Sequence, residues 1–367
     1  MIYLDYQATT PLAPEVREAM LPFMGDKFGN PHSPHRMGRE TAAAVEVARE
    51  RIEGLLPGNG RLAFTSGATE ALNWAIKGSS GPIVTLATEH AAVLDSVRAV
   101  GRTGRDVLIL PVKSDGIVDL DVARAAIKPG TGLVTMMLVN NEIGVIQPIS
   151  QIVDMAHAAG ALFLCDAVQG YGRAPIPTGC DMVAISAHKI HGPMGIGALW
   201  VRDGLTVDTL LHGGGQEKLG RSGTLAPMLC AGFGVAAALM EERLEEDTAH
   251  LDRLWRIATT KLGPEWTING SFGQRYHGNL NLRCDGVEAA RLISELRELA
   301  FSSSSACASG SGRPSHVLKA LGLSDAEARS SIRLGFGRYT SEQDIERAAE
   351  LILEAAERQL QWAICRM

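Results

Sequence analysis

The feature that most limits how this chain can fold is a regular alternation between about residues 60 and 200. Short apolar runs, LAFT (62–65), PIVTL (82–86), DVLIL (106–110), LVTMMLV (133–139), ALFLCD (161–166), DMVAIS (181–186) and GALWV (197–201), are separated by helical patterns such as ATEALNWAIKG, AAVLDSVRAV and ISQIVDMAHAA. An unbroken apolar run of this length suits a strand covered on both faces, as in a mostly parallel sheet. Strand–helix alternation therefore predicts an α/β layered domain built on a seven-stranded sheet.

The texture changes after residue 226. PMLCAGFGVAAALMEERLEEDTAHLDRLWRIATTKLG reads as long helical material forming a bridge. A smaller α+β region follows, with strands near 266–269 and 279–283, a helix near 286–299 and a last helix from about 341 to 361. Between them lies the Ser/Gly-rich stretch SSSSACASGSGR (302–313). The expected division is a large α/β domain over 14–243 and a small α+β domain made of 1–13 and 244–367, with the N-terminus packing on the second.

Bulk properties narrow the function. With 367 residues, 46% apolar and 21% charged, the chain can bury a large core. A net charge of -6 provides no strong positive field, which argues against nucleic acid as the main partner. The start MIYLDYQATTPLAPEV resembles neither a secretory signal nor a transit peptide, and no apolar run is long enough to span a bilayer, so a cytoplasmic location is expected. The six cysteines are scattered without a C-x-x-C pair, which disfavours a metal or iron–sulfur cage, and most are expected to be small buried hydrophobes.

Several residues stand where chemistry collects in such folds. Lys189, in ISAHKIHGP, closes an apolar strand; a desolvated lysine has a lowered pKa suited to Schiff-base formation, whereas a lysine with its head in water is inert. Asp166 and Gln169, in FLCDAVQG, fall at the carboxyl edge of the sheet, where a carboxylate serves either as a helix cap or as the partner of a protonated cofactor nitrogen. TSGATEALNWAIKG turns from strand to helix with small residues, exposing backbone N–H groups that either cap the helix or cradle a phosphate. Cys307 sits among serines, alanines and glycines that cannot bury it, so an exposed thiol on a mobile loop is expected. His90, in LATEHAAVL, begins a helix after a strand, and Arg333, in SSIRLGFGR, has the fork that clamps carboxylates. Gly232, Gly234 and Ala237 match a dinucleotide fingerprint, but no strand precedes them. His188 and His191 lack a third metal ligand.

In order along the chain, YLDYQATTPL, FGNPHSPH, FTSGATEALNWAIKG, ATEHAAVL, VNNEIGVIQPI, CDAVQGYG, SAHKIHGPMGIGAL, GGGQEKLGRSGT, SSSSACASGSG and SSIRLGFGR run from residue 3 to 338. This series resembles the NifS/IscS-type cysteine desulfurases, class V aminotransferase-like enzymes of the fold-type I pyridoxal 5'-phosphate (PLP) group. The resemblance implies that Lys189 carries PLP covalently, Asp166 pairs with its ring nitrogen, Gln169 faces its phenolic oxygen and His90 stacks on the ring. It implies a phosphate site from Ala68, Thr69, Ser186 and His188, completed by Thr224 from a second subunit, and hence a homodimer. Asn141 and Arg333 are implied to orient the substrate carboxylate, and Cys307 to take sulfur from L-cysteine as a persulfide, leaving alanine. A sulfur-acceptor protein, such as an iron–sulfur scaffold or a tRNA-thiolation carrier, is the implied partner.

Met194 stands where many relatives carry lysine, and few residues follow the last helix, where longer relatives carry a scaffold-contacting tail. The rivals are another PLP enzyme of the same fold, a selenocysteine lyase or aminotransferase, and a non-catalytic sulfur-relay subunit. Transamination needs no thiol at Cys307, and a relay subunit needs no bound PLP.

Overall fold

A computed structural model describes residues 1–303 and 314–364; Cys307 and Cys365 lie outside them. All seven apolar runs are strands of one sheet, in the spatial order Gly60–Thr65, Gly197–Arg202, Met182–Ser186, Leu162–Asp166, Leu133–Met137, Ile83–Leu86, Val107–Leu110. Only Gly197–Arg202 runs antiparallel to its neighbours. Within a strand, successive side chains enter different cores: Phe163 and Cys165 pack on one face of the sheet, Leu164 on the other. The helices Ala68–Lys77 and Ala91–Gly101 cover the second face, and Arg36–Glu53, Ile149–Ala158 and Pro227–Glu242 cover the first. Double coverage is why these strands lack the polar/apolar alternation of a half-exposed sheet.

The expected helical bridge is two helices, Pro227–Glu242 and Leu244–Leu262, separated at Arg243. The first belongs to the large core through Phe233, Ala236 and Met240, and the second lines a separate core through Leu251, Leu254 and Trp255. Gly232 and Gly234 lie inside the first helix; a Cβ at Gly234 would meet the backbone of Ala48 at 2.6 Å, so this glycine allows two helices to pack closely. The smaller core is built on a four-stranded antiparallel sheet ordered Ser302–Ser303, Ser331–Gly335, Asn279–Arg283, Thr267–Ile268. Two of these strands differ from expectation. Ser331–Gly335 was not legible as a strand because Ser331 and Arg333 interrupt its apolar character, yet all five residues are buried in the sheet interior. Ser302–Ser303, read as loop, pairs with Arg333 and Ile332. The chain start adds a two-residue parallel strand, Ile2–Tyr3, along Leu299–Ala300. Among the described residues, no helix is long and apolar enough to cross a membrane.

One glycine of the sheet makes room for the turn that follows the strand Gly60–Thr65. A Cβ on Gly197 would lie 2.5 Å from the Ile185 carbonyl oxygen and 2.7 Å from the Gly67 carbonyl carbon. The turn Ser66–Gly67 can therefore rest on the strand only because position 197 has no side chain. Gly197→Ala is expected to cost about 1–3 kcal/mol through overpacking, seen as a lower thermal midpoint.

Candidate active site

Six strands point their carboxyl ends toward the same edge of the large sheet, and the segments leaving them converge there. They surround a cavity of about 570 Å³ lined by Ala68, Thr69, His90, Asn141, Asp166, Gln169, Ser186, His188, Lys189 and Arg333. Ten of the twelve residues singled out in the sequence thus share one cavity. Thr224 does not line it and is exposed on a separate loop. Cys307 lies outside the described residues.

Each side chain is placed by a local cause. Asp166 ends the strand Leu162–Asp166, is 4% exposed, and accepts the Val168 N–H at 3.0 Å. Burial pushes its carboxyl up, while that bond and the nearby His90 and Lys189 pull it down. His90 caps the helix Ala91–Gly101: its Nδ1 accepts the Ala92 N–H at 3.0 Å. That bond leaves the proton of the neutral ring on Nε2, and burial holds the imidazole below its ordinary value, with Asp166 opposing. His188 is pushed down to about 4 by burial and then by the Lys189 charge. Both rings are therefore neutral near neutrality.

Lys189 ends the short 3₁₀ turn Ala187–Lys189 after the strand Met182–Ser186. Its Nζ donates to the backbone carbonyls of Gln7 at 2.6 Å and Ala8 at 2.7 Å. Across the cavity, the helix Ala68–Lys77 begins at Gly67 with no side-chain cap, so its first N–H groups are available. The Asn141 Oδ1 is buried and unpartnered.

Four contributors had no sequence signal of their own. Gln7 and Ala8 act through backbone carbonyls, which no side-chain pattern announces. Arg173 donates to the carbonyl of Lys189 and, at 3.3 Å, to that of Gln169. Its guanidinium lies 5.1 Å from the centre of the Tyr276 ring, so one side chain ties together Lys189, Gln169 and Tyr276. Glu142, next to Asn141, is buried, accepts the Ser315 hydroxyl at 2.5 Å, and is pushed up to about 7 by burial.

These donors fit PLP. The uncapped helix start suits its phosphate, Lys189 its aldehyde, the buried carboxylate its ring nitrogen, and the orphaned Asn141 oxygen a polar group of the ligand.

The Glu142 carboxyl, at about 7 folded against an ordinary glutamate value when unfolded, binds its proton more tightly in the native state. Its contribution to stability is complete at low pH and is lost as pH rises through about 7. The thermal midpoint of the native protein relative to Glu142→Gln should therefore fall between about pH 5 and about pH 8. A difference independent of pH would contradict this.

Residues 2–348 match the family model Aminotransferase class-V. The cysteine desulfurase IscS of Rickettsia bellii (strain OSU 85-389) is 45% identical over 368 residues, 96% of this chain and 90% of that protein. The solved NifS-like protein from Rickettsia africae ESF-5 superposes with a TM-score of 0.89 at 30% identity, covering 97% of this chain and 99% of that one. SspA in complex with cysteine superposes with a TM-score of 0.83 at 34% identity over 93% of this chain and 100% of that one. With this fold, this donor set and these relatives, the chain belongs to the class-V aminotransferase family of PLP enzymes and, within it, to the cysteine desulfurases.

Proposed function

We propose that this protein converts L-cysteine to L-alanine with PLP and receives the sulfur on Cys307. The observation that carries this reading is the convergence of Lys189, Asp166, His90 and Arg333 on one cavity beside an uncapped helix start. Lys189 would hold the cofactor, with Asp166 for its ring nitrogen, Gln169 for its phenolic oxygen and His90 for its ring, and Ala68, Thr69, Ser186 and His188 would hold the phosphate. Bound there, PLP supplies a sink for the electron pair released when a bond to the substrate's Cα breaks.

The chain's own groups do the rest. Arg333 and Asn141 would receive the α-carboxylate and so fix the orientation of the substrate at Cα. Lys189 Nζ would be the base for the Cα proton, and to reach it must leave the carbonyls of Gln7 and Ala8. A neutral His90 with its proton on Nε2 presents a donor to the reacting face without adding charge. The Cys307 thiolate forms an S–S bond to the substrate sulfur as the C–S bond breaks, and that bond's electron pair stays with the carbon skeleton, which gains a proton to become alanine. The persulfide then passes to an acceptor thiol on a partner, an iron–sulfur scaffold or a thiolation carrier.

Thr224 is exposed and outside its own cavity, as a residue serving a neighbouring site must be. Phe28, at 75%, and Met194, at 65%, are apolar side chains left open to a second copy. These features support a homodimer in which the partner subunit's Thr224 reaches the phosphate. The reading places the enzyme in the cytoplasm.

Purified protein supplied with PLP, L-cysteine and a reductant should form alanine and sulfide in equal amounts. Cys307→Ala should keep the visible absorbance of the bound cofactor and lose sulfide release; undiminished turnover in that variant would remove Cys307 from the mechanism. Asp166→Asn should retain the fold and lower kcat by at least about 10², the scale on which a charge stabilising a developing pair acts.

A further inference from the structure

Arg333 is not free to choose its orientation. It rises from the interior strand Ser331–Gly335, with 3% of its side chain exposed. Its Nη1 donates to the Asn141 carbonyl at 3.1 Å, and its Nη2 donates to Oδ1 of Asp5 at 2.7 Å. The same Asp5 oxygen accepts the Ser302 hydroxyl at 2.8 Å. Asp5 is held in turn by the backbone. It bridges Gly335 in parallel, the Gly335 N–H donates to the Leu4 carbonyl at 2.8 Å, and the Tyr3 hydroxyl donates to the Asp5 carbonyl at 3.2 Å. Asp5 does not line the cavity, whereas Arg333 does.

A guanidinium is a planar fork, and a carboxylate is gripped well only when the fork presents its N–H groups in the right plane. Two anchors from different parts of the chain, one on each terminal nitrogen, define that plane. We propose that Asp5 is a positioning residue for substrate recognition. By its bond to Nη2 it sets the Arg333 fork so that the remaining N–H groups meet the α-carboxylate of an amino acid. The inference rests on the cavity being the amino-acid site described above.

Two effects oppose each other here. Removing the Asp5 charge leaves more net positive charge on Arg333, which by Coulomb attraction alone would tighten carboxylate binding. Removing the anchor lets a flexible side chain turn out of plane, which weakens binding. At 2.7 Å, with Arg333 nearly fully buried, the anchor governs the fork's orientation, and the second effect wins. The sign of the change therefore distinguishes the two.

The experiment uses the PLP-loaded enzyme. Asp5→Ala should raise KM for L-cysteine about tenfold with kcat within about threefold, the pattern of lost binding common to ground and transition states. The spectrally measured Kd for L-alanine, which shares the carboxylate and cannot turn over to sulfide, should rise by the same factor. Asp5→Asn, which keeps an acceptor oxygen at the same place, should recover part of the loss. In an Arg333→Lys background, Asp5→Ala should add little, since both act through one fork.

An unchanged or lowered KM in Asp5→Ala with full cofactor content overturns the proposal, as does an undiminished further effect on Arg333→Lys. Should Asp5→Ala not fold, Asp5→Asn and Ser302→Ala carry the test, each expected to raise both constants in the same direction. A native protein that binds L-alanine without desulfurating cysteine would defeat the reaction assigned above while leaving Asp5 testable by Kd. One that binds no α-amino acid would defeat both.

Discussion

The structure depends on one constraint: a parallel sheet buried on both faces has no room for polar chemistry except at its ends. Asp166, His90, Asn141, Ser186 and Lys189 are all found at, or within four residues of, the carboxyl end of such a strand. The polar groups sit where the backbone leaves the dry layer and N–H groups of helix starts are exposed, and the desolvation that expels them from the sheet also tunes them. Burial raises Asp166 and lowers His90 and His188 in the same cavity. The electrostatic character of the site is therefore inherited from the fold rather than added to it.

A second constraint couples the two cores. The N-terminal segment begins with Leu4 in the smaller core and reaches Ala13 in the larger. Between them, Gln7 Nε2 donates to the Gly278 carbonyl at 2.8 Å, and the Thr10 N–H and hydroxyl both donate to the His188 carbonyl, at 2.9 and 2.8 Å. The turn after Ser186 is thus held from the chain start, and Arg333 is held from the same N-terminal segment. The segment is not the whole of the joint: Tyr276 packs against both cores, and Asn279 Nδ2 and Asn281 Nδ2 donate to the carbonyls of Asn141 and Glu142 at 3.1 and 2.9 Å. The contact between Glu142 and Ser315 adds a further tie next to Asn141, and the packing of Ile143 and Val145 on Val317 and Leu318 surrounds it with apolar cover.

Much of this was legible beforehand. The seven strands announced themselves because coverage on both faces demands unbroken apolar runs, and the site residues because they follow those runs directly. Ser331–Gly335 was not legible: an interior strand that carries an arginine breaks the apolar pattern that would reveal it. Neither were the contributions of Gln7 and Ala8, which act through carbonyls, nor Arg173, whose bracing of Lys189 and Gln169 requires positions four and sixteen residues away to meet in space.

By itself the sequence determined the layered α/β class, the seven strands of the large sheet, and the chemical identity of the groups around the cavity, because hydrophobic period and residue type are local properties. Tertiary structure alone decided which of those groups share a cavity, which proton each carries, and which residues hold them in place. The reason is physical: desolvation and hydrogen-bond partnership are set by neighbours distant in the chain, as when Asp5 meets Arg333 across 328 residues.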